Sequence, residues 1–313
     1  MNDDFGSLRR IKIRKRYDPS ADVILYEGDA RLFLETIPEH SVDLIVTSPP
    51  YNLGKEYEKQ ITLEQYKKEQ SEIIDGCVPL LTDSGSICWQ VGNYVSPSSE
   101  VVPLDILLYD LFKSHDLVLR NRIVWHFGHG LHSQRRFSGR YETIMWFTKS
   151  DDYRFDLDSV RVPQKYPGKR HFKGPKKGQY SGNPNGKNPG DFWITAGGFD
   201  TDVWNIPNVK AHHIEKTEHP CQFPIGLVQR LVRALTRRGS WVLDPFIGTG
   251  TTACAALIEG RRAMGSDIVP RYLEIAKKRA IDAYYGKLRY RPFDQPVYQP
   301  KAGSKLTTRG DDD

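Results

Sequence analysis

Two short segments of the chain combine residue types that could do chemistry, and the first is Leu44-Ile-Val-Thr-Ser-Pro-Pro-Tyr-Asn52. An apolar run, typical of a buried strand, leads directly into Ser48, Pro49, Pro50 and Tyr51. Two consecutive prolines fix φ and lack N–H donors, so the backbone here presents rigid carbonyl acceptors. A stiff turn would account for the prolines but not for the aromatic ring that follows them. A rigid acceptor beside a flat ring suits a planar substrate that carries an amino group.

The second segment is Trp241-Val-Leu-Asp-Pro-Phe-Ile-Gly-Thr-Gly-Thr-Thr252, in which a strand meets a Gly-x-Gly turn that opens a helix. Glycine lets a ligand approach the backbone closely. Asp267 follows the next strand and is placed to accept hydrogen bonds from ribose hydroxyls. Gly-x-Gly alone would favour a structural turn, whereas its combination with Asp244-Pro245-Phe246 and Asp267 predicts a nucleoside cofactor.

The glycine turn is not built for phosphates. A dinucleotide fingerprint needs a third glycine three residues beyond the second, in the region where Thr252 and Ala253 stand, and no Gly-x-x-x-x-Gly-Lys-Ser/Thr occurs. The turn also carries no cation to meet a pyrophosphate. These features disfavour a NAD-dependent dehydrogenase and favour a nucleoside without phosphates, such as S-adenosylmethionine (SAM).

The two segments resemble motifs of the amino-methylating DNA methyltransferases, which are SAM-dependent enzymes. Thr47-Ser-Pro-Pro-Tyr51 is similar to their target-amino motif, and Asp244-Pro-Phe-Ile-Gly-Thr-Gly-Thr-Thr252 to their SAM loop. The target motif comes first, which is the permuted order of the group called β. The resemblance extends over residues 22–285. Three further segments support it: Glu27-Gly-Asp-Ala30, Gln134-Arg-Arg-Phe-Ser-Gly-Arg-Tyr-Glu-Thr-Ile-Met-Trp-Phe-Thr-Lys149 and Glu218-His-Pro-Cys-Gln-Phe-Pro224.

The resemblance implies a set of site residues and a mechanism. A base rotates out of the duplex, the Ser48 hydroxyl and the Pro49 carbonyl accept its two amino N–H groups, and Tyr51 stacks on it. Neither a covalent intermediate nor a metal is required. The expected catalytic residues are Ser48, Pro49, Pro50 and Tyr51. The expected cofactor-binding residues are Asp29, Asp244, Phe246, Gly248, Gly250, Thr251 and Asp267.

The identity of the target base depends on position 48. Adenine enzymes of this family mostly have Asp or Asn where Ser48 stands, and N4-cytosine enzymes mostly have Ser, which favours N4-cytosine over N6-adenine. An RNA-modifying enzyme and a DNA-binding protein without catalytic activity are more distant alternatives. The tripeptide Pro220-Cys-Gln222 also occurs in C5-cytosine methyltransferases, but there it follows the SAM loop, so Cys221 is expected to be a structural or pocket-lining residue.

Short apolar runs alternate with helical patterns along the rest of the chain, which predicts an α/β fold. The expected architecture is a doubly wound, mainly parallel (mixed) sheet of the Rossmann-like, SAM-dependent methyltransferase type. Such sheets bind ligands beyond the carboxyl ends of their strands, where both motifs lie. The predicted strands are Val23–Tyr26, Val42–Val46, Ser86–Val91, Arg122–His126, Thr143–Phe147, Trp241–Leu243 and Ala263–Ser266. The predicted helices are Ile61–Leu81, Pro103–Ser114, Pro224–Thr236, Thr251–Glu259 and Pro270–Tyr285.

The charge distribution indicates where DNA would bind. The net charge is +6, and residues 161–190 hold eight Lys or Arg and no acid. Cations beside stacking rings, as in Arg135, Arg136, Arg140 and Tyr141, are typical of a nucleic-acid groove. We therefore expect double-stranded DNA as the partner, with residues 151–215 as a target-recognition insertion. A cognate restriction endonuclease fits the same interpretation, and the protein would be a monomer or a homodimer.

The overall composition excludes some classes of protein and indicates how the chain is divided. Hydrophobic residues make up 38% of the 313, enough for a core, yet no apolar stretch approaches the length of a membrane span. The four cysteines are scattered along the chain, which predicts reduced thiols. The N-terminus is polar and has no signal-peptide pattern, so we expect a cytoplasmic, nucleoid-associated protein. The predicted divisions are an extension (1–21), a catalytic domain (22–150 and 216–286), the insertion (151–215) and a tail (287–313).

Overall fold

The computed structural model describes residues 9–52, 60–127, 132–164, 166–193, 206, 208–210 and 213–292. The strands are β1 (Ile13–Arg14), β2 (Val23–Glu27), β3 (Val42–Thr47), β4 (Leu81–Val91), β5 (Asn93–Val95), β6 (Val101–Pro103), β7 (Val118–His126), β8 (Tyr141–Thr148), β9 (Phe192–Trp193), β10 (Trp241–Asp244) and β11 (Arg262–Asp267). The helices are α1 (Ala30–Leu34), α2 (Leu63–Cys77), α3 (Leu104–Lys113), α4 (Ile225–Leu235), α5 (Thr251–Ile258) and α6 (Pro270–Tyr284).

Within the described residues, nine strands form one mixed sheet in the order β1-β2-β11-β10-β3-β4-β8-β7-β9. The first six strands in this order are parallel to one another, and β8 pairs antiparallel with both β4 and β7. The expected doubly wound, mainly parallel sheet is therefore confirmed. Since β2, β3, β10 and β11 are parallel, the loops that follow them emerge at the same edge, called the carboxyl edge below.

Alternating side chains along the strands give the sheet two buried faces. Val23 and Leu25 of β2 pack with α4, α5 and α6, while Ile24 between them packs with α1, α2 and α3. Neighbouring side chains of a strand point to opposite faces, so a parallel strand covered on both sides must be apolar throughout. The sheet is thereby a rigid support for the loops at its carboxyl edge.

Every predicted strand and helix is present, and the differences lie at the ends and in the shortest elements. The predicted helix Ile61–Leu81 begins at Leu63 and ends at Cys77, because Pro79 has no N–H to continue the ladder and a 3₁₀ turn follows over Val78–Leu80. The elements missing from the prediction, including α1 and β9, have two to five residues, too few for a periodic pattern.

Part of the expected insertion belongs to the sheet and the core. Its strand β9 adds to the edge beside β7, and the buried side chains of Val160 and Trp193 belong to the hydrophobic core. Residues 1–8 of the expected extension and 293–313 of the expected tail lie outside the described residues. Among the residues that are described, no helix is both long and apolar enough to cross a membrane.

Gly250 is a position where the fold requires glycine, and its replacement tests the packing of α5 on α6. Its φ is +79°, and a Cβ there would lie 2.8 Å from Cβ of Ala276. We expect Gly250→Ala to lower the free energy of unfolding by about 3 kcal/mol or more, from left-handed strain plus overpacking. Gly239 has a similar φ of +80° with open space around it, so Gly239→Ala should cost only about 1–2 kcal/mol. Denaturant unfolding measures both, and equal losses would contradict the packing argument.

Candidate active site

The carboxyl edge of the sheet opens into a cavity of about 650 Å³, within the range that binds small molecules and cofactors. Ser48, Pro49, Pro50 and Tyr51 form part of its wall beyond β3. Residues that follow β2, β10 and β11 line the same cavity: Gly28, Asp29, Pro245, Phe246, Ile247, Gly248, Thr249, Thr251, Asp267, Ile268 and Val269. The two segments that the sequence singled out therefore face one common space.

The carboxylate of Asp244 joins the two segments beneath the cavity. Thr47 at the end of β3 donates its hydroxyl to Oδ1 of Asp244 at 2.6 Å, and Thr252 of α5 donates to Oδ2 at 2.6 Å. The backbone N–H of Phe246 also donates to Oδ1, at 3.1 Å. Asp244 is 1% exposed, and its burial raises the pKa of the carboxyl to about 6 even though all three donors favour the charged form.

Two of the expected cofactor-binding residues lie behind the cavity wall. Asp244 points into the hydrogen-bond cluster below the loop, and Gly250 packs against α6. Gly248 does line the cavity, with φ +49° and the ring of His219 opposite: a Cβ on Gly248 would lie 3.5 Å from Cδ2 and Nε2. Asp244 and Gly250 thus shape the loop, whereas Phe246, Gly248 and Thr251 present it to the cavity.

Two acidic residues at neighbouring strand ends face the same half of the cavity. Asp267 ends β11 and accepts a hydrogen bond from the backbone N–H of Val269 at 2.8 Å, while burial raises the pKa of its carboxyl. Asp29 caps α1 and pairs with Arg31, which lowers the pKa of Asp29. Both carboxylates lie on the wall, where ligand hydroxyl or amino groups could donate to them.

His219 is an uncharged ring on the wall. Burial lowers its pKa to about 4, and its Nδ1 accepts the backbone N–H of Cys221 at 3.2 Å. The proton of the neutral ring is therefore on Nε2, which faces the Gly248 loop. Tyr272 packs edge-on against the ring, with centroids 4.7 Å apart. Cys221 is exposed and also lines the cavity.

The target-motif half of the cavity is held by polar side chains from three strands. The hydroxyls of Ser48 and Tyr51 lie 2.8 Å apart, and the Tyr51 hydroxyl donates to Oε2 of Glu142 at 3.3 Å. Gln90 of β4 donates to the same oxygen at 2.5 Å. Burial raises the pKa of both Tyr51 and Glu142, and the negative charge of Glu142 raises that of Tyr51 further.

The arginines that the sequence assigned to DNA lie beside the cavity and not on its wall. Arg135 and Arg136 are exposed in the loop between β7 and β8, Arg140 is partly exposed, and Tyr141 begins β8. Phe137 in the same loop is 99% exposed. Because β7 is parallel to β4, this loop emerges at the carboxyl edge, next to the cavity mouth.

Several residues of the cavity wall are not marked by either sequence motif. Glu142 was part of a matched segment, and Gln90 stood in an apolar run. The available signal was a charged or polar residue interrupting an otherwise apolar strand. Within the described ranges no group of three or more His, Cys, Asp or Glu is arranged to hold a metal.

Comparisons with known proteins identify the family of this chain. The model of a family described as DNA methylase, which covers N6 and N4 enzymes, matches residues 42–278. The Type II methyltransferase M.BglII of Bacillus subtilis is 49% identical over 252 residues, covering 80% of this chain and 67% of that protein. The DNA adenine methyltransferase YhdJ of Escherichia coli K12 is 30% identical, covering 84% of each chain. The structure of TTHA0409 from Thermus thermophilus with S-adenosyl-L-methionine superimposes with a TM-score of 0.59 at 29% identity, covering 84% of this chain and 94% of that one.

The raised pKa of Asp244 predicts a pH dependence of stability. The folded pKa of about 6 exceeds the ordinary value of 3.8, so between these values the folded protein binds more protons than the unfolded chain. Protonation of Asp244 therefore contributes to the free energy of unfolding below pH 3.8, and this contribution is lost as pH rises through 6. The loss is about 3 kcal/mol at most. Denaturant-induced unfolding of the wild type and of Asp244→Asn, at a series of pH values from 4 to 7.5, measures this contribution. The fall in stability with rising pH should be smaller in the variant by this amount, since Asp267 and Glu142, whose pKa values are also raised, still titrate in it. Parallel curves for the two proteins would contradict the assignment.

Proposed function

The chain belongs to the family of DNA methylases that modify exocyclic amino groups, and we propose that it transfers a methyl group from SAM to N4 of a flipped-out cytosine in double-stranded DNA. One observation supports this proposal above the others. The loops after β3 and β10 follow adjacent parallel strands, are tied by the Thr47–Asp244 hydrogen bond and line the same cavity. A methyl donor and an amino acceptor held by these two loops would meet inside it.

The residues after β2, β10 and β11 suit SAM. Asp267 is placed for the ribose hydroxyls, Asp29 for the adenine amino group, and Phe246, Gly248 and Thr251 for the body of the cofactor. The neutral ring of His219 adds no positive charge beside a cationic ligand, and Asp267 contributes a negative one. SAM, when bound, supplies an electrophilic methyl group.

The residues after β3 suit a nucleobase amino group. The Pro49 carbonyl and the Ser48 hydroxyl can accept two N–H bonds, which favours a nitrogen whose lone pair is available for attack. The ring of Tyr51 offers a flat surface for the base. These contacts position the amine and require no covalent intermediate. Ser at position 48 is our reason for preferring cytosine to adenine, since family members that act on adenine mostly have Asp or Asn there.

The surface around the cavity suits DNA. Arg135, Arg136, Arg140 and Tyr141 lie beside its mouth and would contact the phosphate backbone and an unstacked base. The basic residues of the insertion over 151–215 would add salt-dependent affinity and contact base edges. The Type II names of the relatives support a restriction-modification context, in which a cognate endonuclease would cut the same site.

Identification of the modified nucleoside tests the proposal directly. DNA is incubated with the protein and isotopically labelled SAM, digested to nucleosides and analysed by mass spectrometry. The expected product is N4-methylcytosine, and sequencing of the modified DNA maps its position. Labelled N6-methyladenine would refute the choice of base but not the reaction, and the name of the relative YhdJ makes adenine the competing outcome. The absence of label in DNA would refute the proposed activity.

The roles of the two loops predict separable defects. Ser48→Ala removes an acceptor of the target amine, so we expect the single-turnover rate of methyl transfer to fall about 10²-fold or more while SAM affinity stays within about twofold. Asp267→Ala serves as the matched control on the cofactor side and should weaken SAM binding instead. Rapid-quench kinetics and calorimetry measure the two effects. Equal losses of rate and SAM affinity in Ser48→Ala would contradict the assignment.

A further inference from the structure

A continuous hydrogen-bonded chain runs from the target motif to a carboxylate. It passes from the Ser48 hydroxyl to the Tyr51 hydroxyl at 2.8 Å and from there to Oε2 of Glu142 at 3.3 Å. All three residues line the cavity. The chain therefore connects the proposed amine acceptor, Ser48, to a base some distance from the reacting atoms.

The carboxylate sets the direction of this chain. An ionised carboxylate only accepts hydrogen bonds, so the single hydroxyl proton of Tyr51 must point to Glu142. Tyr51 then has no proton for Ser48, and the Ser48 hydroxyl must donate to the Tyr51 oxygen. The lone pairs of Ser48 are left to accept from another donor. An amino N–H in the cavity is such a donor.

The fold holds Glu142 in this position from several sides. Gln90 donates a hydrogen bond to Oε2 of Glu142, and Trp125 on β7 lies opposite Glu142 in the strand register. Gly92 leaves room for the pair, since a Cβ there would lie 3.3 Å from the Tyr51 ring and 3.5 Å from Cγ of Glu142. Among the described residues no cation forms an ion pair with Glu142, and removing an unpaired carboxylate from water is costly. Glutamine would fill the same space without that cost, so the charge itself needs a reason.

We propose that Glu142 is the terminal acceptor for the proton released when the target amine is methylated, receiving it through Tyr51 and Ser48. The amino nitrogen forms a bond to the methyl carbon as the carbon–sulfur bond breaks and its electron pair stays on sulfur as a neutral thioether. One N–H proton passes to Ser48, the Ser48 proton to Tyr51 and the Tyr51 proton to Oε2 of Glu142. Glu142 ends neutral and returns the proton to solvent after the product leaves. This inference rests on the proposed function.

The surroundings of Glu142 favour that transfer. Glu142 is partly buried, so neutralising its carboxylate relieves desolvation, and burial accordingly raises its pKa. The described titratable group that contacts Glu142 is the phenol of Tyr51, which in turn interacts with the phenol of Tyr66 on α2, and phenols are uncharged at neutral pH. Gln90 of β4 and Trp125 of β7 carry no charge.

Glu142→Gln tests the inference, with Glu39→Gln on the exposed surface at the opposite edge of the sheet as the matched control. Single-turnover methyl transfer to DNA should fall about 10²-fold in Glu142→Gln and stay unchanged in Glu39→Gln, with SAM and DNA affinities preserved. The wild-type rate should also fall at low pH as Glu142 becomes protonated. Asp244 titrates in both proteins, so the ratio of the wild-type rate to the Glu142→Gln rate isolates this effect and should decrease as pH falls.

Tyr51→Phe separates the relay from a packing role, since it keeps the ring and removes only the middle hydroxyl. We expect a loss similar to that of Glu142→Gln, and no further loss in the double variant, because either change interrupts the same path. A double variant whose loss of rate equals the product of the two single losses would overturn the relay. A Glu142→Gln rate within about threefold of wild type would overturn it too. A pH-independent rate ratio would overturn it as well. A wild-type protein that methylates no DNA would instead refute the proposed function.

Discussion

The buried carboxylate of Asp244 is the interaction on which the site depends. Its hydrogen bond to Thr47 joins residues 197 positions apart in the chain, and its other bonds hold Thr252 and the backbone of Phe246. Because the donors come from β3, α5 and the glycine loop, one side chain sets the distance between the two halves of the cavity. A change at this carboxylate would therefore alter both halves together.

Strand direction explains which residues the sequence revealed and which it concealed. Ser48, Phe246 and Asp267 follow parallel strands, and the expectation that ligands bind beyond such strands placed them together. Glu142 reaches the same edge by the opposite route, since it lies at the start of β8, which runs antiparallel to β4. A search of strand ends cannot find a residue at the beginning of a strand unless the direction of that strand is known.

The sequence also predicted residue types better than side-chain directions. The apolar runs and the Gly-x-Gly turn were enough for the parallel sheet and for the helix that opens after Gly250. That Gly250 faces α6 and Gly248 faces the cavity depends on packing that only the assembled fold contains. Similarly, the basic composition of residues 161–190 indicated an irregular segment, whereas the burial of Val162 within it and of Trp193 just after it depends on packing in the folded chain.

The strand order has a consequence for how the molecule is made. On the ribosome, β2 and β3 emerge well before β10 and β11, which lie between them in the finished sheet. Until β10 and β11 are made, β2 and β3 each have an unpaired edge and the apolar surface between them is exposed. Such a state favours slow folding and chaperone binding. The catalytic centre therefore cannot assemble cotranslationally from the N-terminal half, and it comes into existence only when the last strands insert into the middle.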